Sequence, residues 1–242
     1  MSGRVAETPR RAAHIGIVAC SAEGAALCYR TICLDALAVM GEHDHPRITI
    51  SAIPMARHME AIRRDDWKAV ADLMLDGANE VARAGAAFAI CPDNTIHQAL
   101  PDVVPRSPIP WLSIADVVAG EAAGRGFRRL GVLGTRYLME GPVYREALAA
   151  RGIEMRIPEA LRREQINDAI FRELVNAIFE NRTRAMFYDA IRDLQSEGCD
   201  AAVLGCTEIP LIVRTNESPL PTLDSTRLLA RAALDRALAV AR

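Results

Sequence analysis

The segment Ala201-Ala202-Val203-Leu204-Gly205-Cys206-Thr207-Glu208-Ile209-Pro210 sets a thiol, a hydroxyl and a carboxylate on three successive residues. A short apolar run, a glycine and then polar side chains is how an α/β sheet presents chemistry at the ends of its strands. A thiol in such a turn donates a proton, or takes one once ionised. Free cysteine titrates near pKa ~8.5, and turn or helix N-terminal amides lower that towards a usable thiolate. A second segment, Gly85-Ala86-Ala87-Phe88-Ala89-Ile90-Cys91-Pro92-Asp93-Asn94-Thr95, aligns with Gly198 to Glu208 at a constant offset, which sets Asp93 opposite Cys206. A carboxyl group has a reference pKa of about 3.9 that desolvation raises. Asp93 therefore reads as a general acid/base or as the acceptor for a bound ammonium group.

Two further blocks repeat at nearly the same offset. Ser107 to Leu112 matches Ser218 to Leu223, and Ile15 to Ala19 matches Leu130 to Gly134. Three matches in one order indicate a duplicated α/β unit. Two lobes related by a pseudo-two-fold axis would bring Asp93 and Cys206 to opposite sides of one small molecule. The expected division is 12–113 plus 225–242 for the first lobe and 114–224 for the second.

Other strand exits carry candidate binding groups. Asn94, Thr95 and Thr207 are donors suited to carboxylate oxygens, Glu208 follows directly, and Ser21 and Thr135 occupy equivalent exits in the other blocks. Arg57 is a candidate clamp for a distal carboxylate, because a guanidinium binds one bidentately. Cys91 is the rival first-lobe thiol; it aligns with Leu204 inside a strand and reads as core packing. His97 has two readings, an orienting residue behind the site or a surface helix residue.

Hydrophobic periodicity supplies the elements that must position these groups. Strands are expected at 14–19, 48–53, in the runs before Asp93 and Cys206, and at 129–134. Helices are expected to about Met40, with Leu27, Ile32, Leu34 and Leu37 on one face, then from an Asp65 or Asp66 cap through Ala84. Further helices fall at 116–124 and about 140–151, 163–178 and 184–197, with a last one over 227–241. Pro54 to Arg64 reads as a loop. Alternating β and α units predict parallel sheets with helices on both faces.

The 242 residues include 29 basic and 31 acidic side chains, half the chain is apolar, and no run is long enough to span a bilayer. That balance gives no reason to expect nucleic acid or an acidic membrane as partner. The Arg-containing start, Met1 to Arg11, has no apolar region of a secretory leader. Six cysteines without a Cys-x-x-Cys pair are then expected to be reduced thiols in the cytoplasm. Metal-ligand spacing and Gly-rich phosphate loops are both missing, so neither metal nor nucleotide is expected.

Four segments carry a resemblance that runs over nearly the whole chain: Asn94-Thr95-x-His97; Gln165-Ile166-Asn167 with Ile170-Phe171; Gly205-Cys206-Thr207-Glu208-Ile209; and Pro221-Thr222-Leu223-Asp224-Ser225-Thr226. The sequence resembles the aspartate/glutamate racemase superfamily of cofactor-independent amino-acid racemases. The resemblance implies two similar α/β lobes with the active site between them. It implies no cofactor, a small-molecule carboxylate substrate and a homo-oligomer, expected to be a dimer. It also implies facing cysteines, one a thiolate base and one a thiol acid on opposite faces of the α-carbon. Cys206 matches the second-lobe cysteine, whereas Asp93 stands where the family usually has the first. The early turn, Ala19 to Gly24, departs from the family's glycine- and methionine-rich loop, and Asn176 lies near the place of a lysine that commonly contacts the distal carboxylate. The first functional expectation is therefore a racemase or epimerase of an amino acid or related α-substituted carboxylate, using Cys206 and Asp93. The alternative is a single-cysteine lyase or decarboxylase of the same superfamily, in which Cys206 protonates a carbanion. A ligand-binding protein without turnover is the reading from another class.

Overall fold

Two four-stranded parallel sheets carry the chain, each built in the same strand order. The computed structural model describes residues 12–239. The leader-free reading of Met1 to Arg11, and the extension of the last helix to Ala241, fall outside those residues. In the first sheet, β1 (Ile15–Ala19), β2 (Ile48–Ala52), β3 (Phe88–Ile90) and β4 (Trp111–Leu112) lie in the order β2-β1-β3-β4. In the second, β5 (Arg129–Leu133), β6 (Glu154–Arg156), β7 (Ala201–Leu204) and β8 (Thr222–Asp224) lie in the order β6-β5-β7-β8.

The repeat seen in the sequence is also a repeat of register. Gly16 pairs with Ala89 across β1 and β3, and Gly131 pairs with Ala202 across β5 and β7. Trp111 on β4 faces Ala89, as Thr222 on β8 faces Ala202. The two glycines also share a packing role. A Cβ on Gly16 would meet Val81 at 2.6 Å, and one on Gly131 would meet Leu194 at 2.6 Å. Only glycine lets a helix sit that close to the middle of each sheet.

Helices cover both faces of both sheets. The first lobe contains α1 (Ala22–Met40), α2 (Met55–Arg63), α3 (Trp67–Arg83) and the short α4 (Leu100–Val103). Then come α5 (Ile114–Gly124), α6 (Arg136–Glu140), α7 (Pro142–Ala149), α8 (Ala160–Arg172), α9 (Asn181–Ser196), α10 (Ile209–Ile212) and α11 (Ser225–Ala239). Alternate residues of one strand reach opposite cores: Ile15, Ile17 and Ala19 pack under α1 and α11, while Val18 packs with Val81 of α3. Val132 and Val203 pack under α5 and α7, while Leu133 and Leu204 pack under α8 and α9. Strands buried on both faces explain their nearly continuous apolar runs. The α11 helix lies on both α1 and α5, and Ile114 at the start of α5 packs in the first-lobe core with Leu229. No helix among the described residues is long and apolar enough to cross a membrane.

Three local readings of the sequence are corrected. Pro54 to Arg64 is not a loop but holds α2, with Pro54 at its N-cap. Leu34 and Leu37 lie on the outer side of α1 and are about half exposed (49% and 45%), while Leu27, Cys28 and Ile32 face inwards. The helix expected over 163–178 ends at Arg172 and is followed by a 3-10 turn at Leu174–Asn176, closed by Ala177 in a left-handed conformation (φ 57°).

Candidate active site

The C-terminal ends of the inner strands of both sheets open into one cavity of about 60 Å³ between the lobes. From the first lobe, the turn after β1 contributes Cys20 and Ser21, and the turn after β3 contributes Asp93, Asn94 and Thr95. From the second lobe, Thr135 follows β5, and Gly205 to Glu208 follow β7. The structure thus brings together Cys206, Asp93, Asn94, Thr95, Thr135, Thr207, Glu208 and Ser21. It does not bring Arg57, which is exposed on the outer side of α2 and does not line the cavity.

Gly205 makes the second-lobe turn tight enough to hold its chemistry. A Cβ there would meet Leu138 at 2.6 Å and the Leu133 carbonyl at 2.9 Å. Beyond it the Cys206 thiol donates to Glu208 Oε2 at 2.9 Å, and the Thr207 hydroxyl donates to the same oxygen at 2.8 Å. Burial pushes the Cys206 thiol well above the ordinary range, and the neighbouring Glu208 charge pushes it further. At neutral pH the sulfur therefore rests protonated, hydrogen-bonded to the Glu208 side chain.

The first-lobe group is a carboxyl. Asp93 Oδ2 accepts the backbone amides of Cys20 at 2.8 Å and Ser21 at 3.4 Å, at the N-terminus of α1. Those amides favour the charged form, but burial outweighs them and holds the carboxyl above its usual range. Its backbone is fixed by His97. Ile114 N donates to His97 Nε2 at 3.2 Å, so the ring proton is on Nδ1 and donates to the Asp93 carbonyl at 3.1 Å. Burial lowers His97 to about 4, which keeps that neutral form across the physiological range. Of its two readings, His97 is thus the orienting residue behind the site.

Cys91 is fully buried in the first-lobe core and does not line the cavity; its thiol donates to the Asp93 carbonyl at 3.6 Å. Cys91→Ala should therefore cost roughly 0.5–2 kcal/mol of stability through lost packing and that weak bond, with turnover per folded molecule retained. Thermal unfolding together with an active-site-normalised rate checks this. A folded but inactive variant would move the first-lobe chemistry from Asp93 to Cys91.

Hydrogen bonds crossing between the lobes set the two acid/base candidates against each other. Ser21 Oγ caps Gly24 N at 3.1 Å and lies 3.4 Å from Thr207 Oγ1. Because Thr207 gives its one proton to Glu208, Ser21 must be the donor of that pair. Thr95 and Thr135 share a second crossing bond at 2.9 Å. Asn94 is engaged at both ends: Tyr144 donates to its Oδ1 at 2.7 Å, and its Nδ2 donates to Ser225 Oγ at 3.0 Å, which in turn donates to the Leu204 carbonyl. Its side chain fastens the exit of β3 to the end of β7, so its contribution is to position Asp93 relative to Cys206.

Several lining residues were not anticipated. Cys20 lines the cavity beside Asp93, and burial with the Asp93 charge pushes its thiol well up. Met55, His58, Met59 and Ile62 reach the cavity from α2. Their spacing of three and four residues is a helix face, hidden in the sequence because a histidine occupies one of its four places. Tyr137 and Val175 line it from the second lobe, alongside Ile170 and Phe171. Asn176 is exposed and donates to the Phe171 and Arg172 carbonyls, so it does not substitute for a substrate-binding lysine.

The family model described as Asp/Glu/Hydantoin racemase matches residues 16–233. The broad-specificity amino-acid racemase RacX of Bacillus subtilis is 23% identical over 201 residues, covering 81% of this chain and 84% of that protein. A crystal structure from Yersinia pestis, provisionally described as an Asp/Glu racemase, superposes with a TM-score of 0.84 at 30% identity, covering 93% of this chain and 99% of that one. An aspartate racemase homologue from Pyrococcus horikoshii gives 0.80 at 26% identity, covering 93% and 98%.

Proposed function

The chain belongs to the Asp/Glu/Hydantoin racemase family, and from that premise we propose that it is an amino-acid racemase that moves the α-proton between Cys206 and Asp93 without a cofactor. The observation that carries the reading is that these two groups line one small cavity from different lobes, each with its protonation state biased by its surroundings. Abstracting the α-proton leaves an enediolate-like carbanion, whose developing charge must meet fixed donors. The hydroxyls of Thr95 and Thr135, whose mutual bond leaves one of their two protons free, are the candidate donors for the carboxylate, while Ser21 and Thr207 hold Glu208 in place behind them.

The two acid/bases are unlike, and burial favours the protonated form of each. In one direction Glu208 takes the Cys206 proton, the thiolate removes the α-hydrogen, and protonated Asp93 delivers a proton to the opposite face. In the reverse direction the Asp93 carboxylate is the base and the Cys206 thiol the donor. Every step is a proton transfer, and the enzyme ends each turnover in the protonation state from which the reverse reaction starts.

The one-base lyase reading has less support. A malonate-like dianion would bring a second negative charge beside Asp93 and Glu208, whereas an amino acid brings an ammonium group that both acids favour. Incubating the purified protein in D₂O with single enantiomers, and following α-deuteration by NMR and inversion by chiral chromatography, tests the proposal. Inversion without added cofactor supports it, and absence of both exchange and inversion across the common amino acids contradicts it.

A further inference from the structure

Resting on the racemase reading, we infer that the side chain of this enzyme's substrate is uncharged and apolar, so that its natural substrates are aliphatic α-amino acids rather than aspartate or glutamate. The part of the cavity not used by the acid/base groups and hydroxyls is walled by Met55, Met59 and Ile62 of α2, and by Ile170, Phe171 and Val175 of the second lobe. Among the described residues, no lysine or arginine lines it. The chain's single lysine, Lys68, is exposed on α3 beside Asp72. The four arginines next in sequence to lining residues are also outside: Arg57, Arg63 and Arg172 are exposed, and exposed Arg136 lies over the Tyr137 ring, 5.5 Å from its centroid. His58 also lines the cavity, with its Nδ1 buried and without a partner among the described residues. Burial, the largest influence, holds the ring below its ordinary range, so it is a neutral polar group on that wall rather than a cation.

A distal carboxylate placed here would lose its water and gain no cation. It would also share a small apolar volume with Asp93 and Glu208, so its charge would be destabilised twice. An α-ammonium and α-carboxylate, by contrast, find acids and hydroxyls at the strand ends. The space is compact: about 60 Å³ corresponds to roughly four to six water positions. That favours short or flexible aliphatic groups, and the two methionines can repack around modest differences in shape.

The test is a kcat/KM comparison of alanine, valine, leucine and methionine with aspartate and glutamate, using α-deuteration and chiral chromatography on the intact protein. The expected result is that the best aliphatic substrate exceeds both acidic ones by about 100-fold or more. Aspartate or glutamate as the best substrate would overturn the inference. Exchange from none of the six would instead sink the racemase reading, and the inference with it. Val175→Lys supplies the missing cation on the wall formed by the second lobe. It should raise aspartate or glutamate turnover by about tenfold and lower that of valine and leucine. A folded Val175→Lys protein with no gain towards the acidic substrates would show that the lack of a cation is not what excludes them.

Discussion

Cys206→Ala is expected to abolish inversion while leaving the protein folded, with α-proton exchange surviving only for the enantiomer whose hydrogen faces Asp93. Removing a positioned acid/base typically costs about 10²–10⁴ in rate, and here no other thiol lines the second-lobe side of the cavity. The fold should survive because Cys206 is only half buried at a strand end, and Thr207 still donates to Glu208. The stability cost should be about 1 kcal/mol or less. Rates for both enantiomers alongside a melting curve check this. A folded variant with near wild-type turnover would remove Cys206 from the mechanism.

Asp93→Asn should separate exchange from inversion. The amide keeps the shape of the carboxyl and can still accept the Cys20 amide, but it can neither give nor take the second proton. Inversion should fall by a factor similar to that of the cysteine variant. Cys206 can still exchange the α-hydrogen that faces it, so one enantiomer should incorporate deuterium without inverting, while the other stays unlabelled. Equal exchange from both enantiomers would rule Asp93 out as the second acid/base and leave Cys20, its neighbour in the cavity wall, as the first-lobe candidate. The same variant should show a stability effect of definite sign. Burial raises the Asp93 pKa in the folded state, so the native protein holds that proton more tightly than the unfolded chain. The stabilisation of the protonated form is fully present below the unfolded pKa and is lost as pH rises through the folded one. Above the unfolded pKa, folding therefore carries a proton-linked penalty in the wild type that Asn lacks. Asp93→Asn should melt higher than wild type at pH 7, and the difference should shrink in acid.

Much of this was legible in the sequence because the relevant signals are short and local. Apolar runs ended by Gly205 or Pro92 mark the ends of β7 and β3, and the internal repeat alone sets Asp93 against Cys206. The equivalent registers of the two sheets, Gly16 with Ala89 and Gly131 with Ala202, are the structural counterpart of that repeat. What escaped lay where pattern and composition disagree. The α2 helix follows a proline, is rich in arginine, and buries a histidine on the face that would otherwise announce it. The β6 strand, Glu-Met-Arg, is a charged edge with no apolar run to mark it. The break after α8 depends on Ala177 adopting a left-handed conformation, which no residue type there signals. Arg57 and His58 both follow closely on the end of β2 in sequence, but the turn of α2 carries Arg57 outwards and brings His58 in. The roles of Asn94 and His97 needed three dimensions, because their partners Ser225, Tyr144 and Ile114 are remote in sequence.

The central claim is that one proton moves on each face of the α-carbon, from two different groups. Its most direct test is the wild-type reaction in D₂O, stopped within the first few per cent of conversion, starting separately from each enantiomer of the best substrate. The account predicts product fully deuterated at the α-carbon and remaining substrate still protonated, in both directions. Product that retains the substrate's own α-hydrogen would mean that a single group carries it across, and would contradict the account.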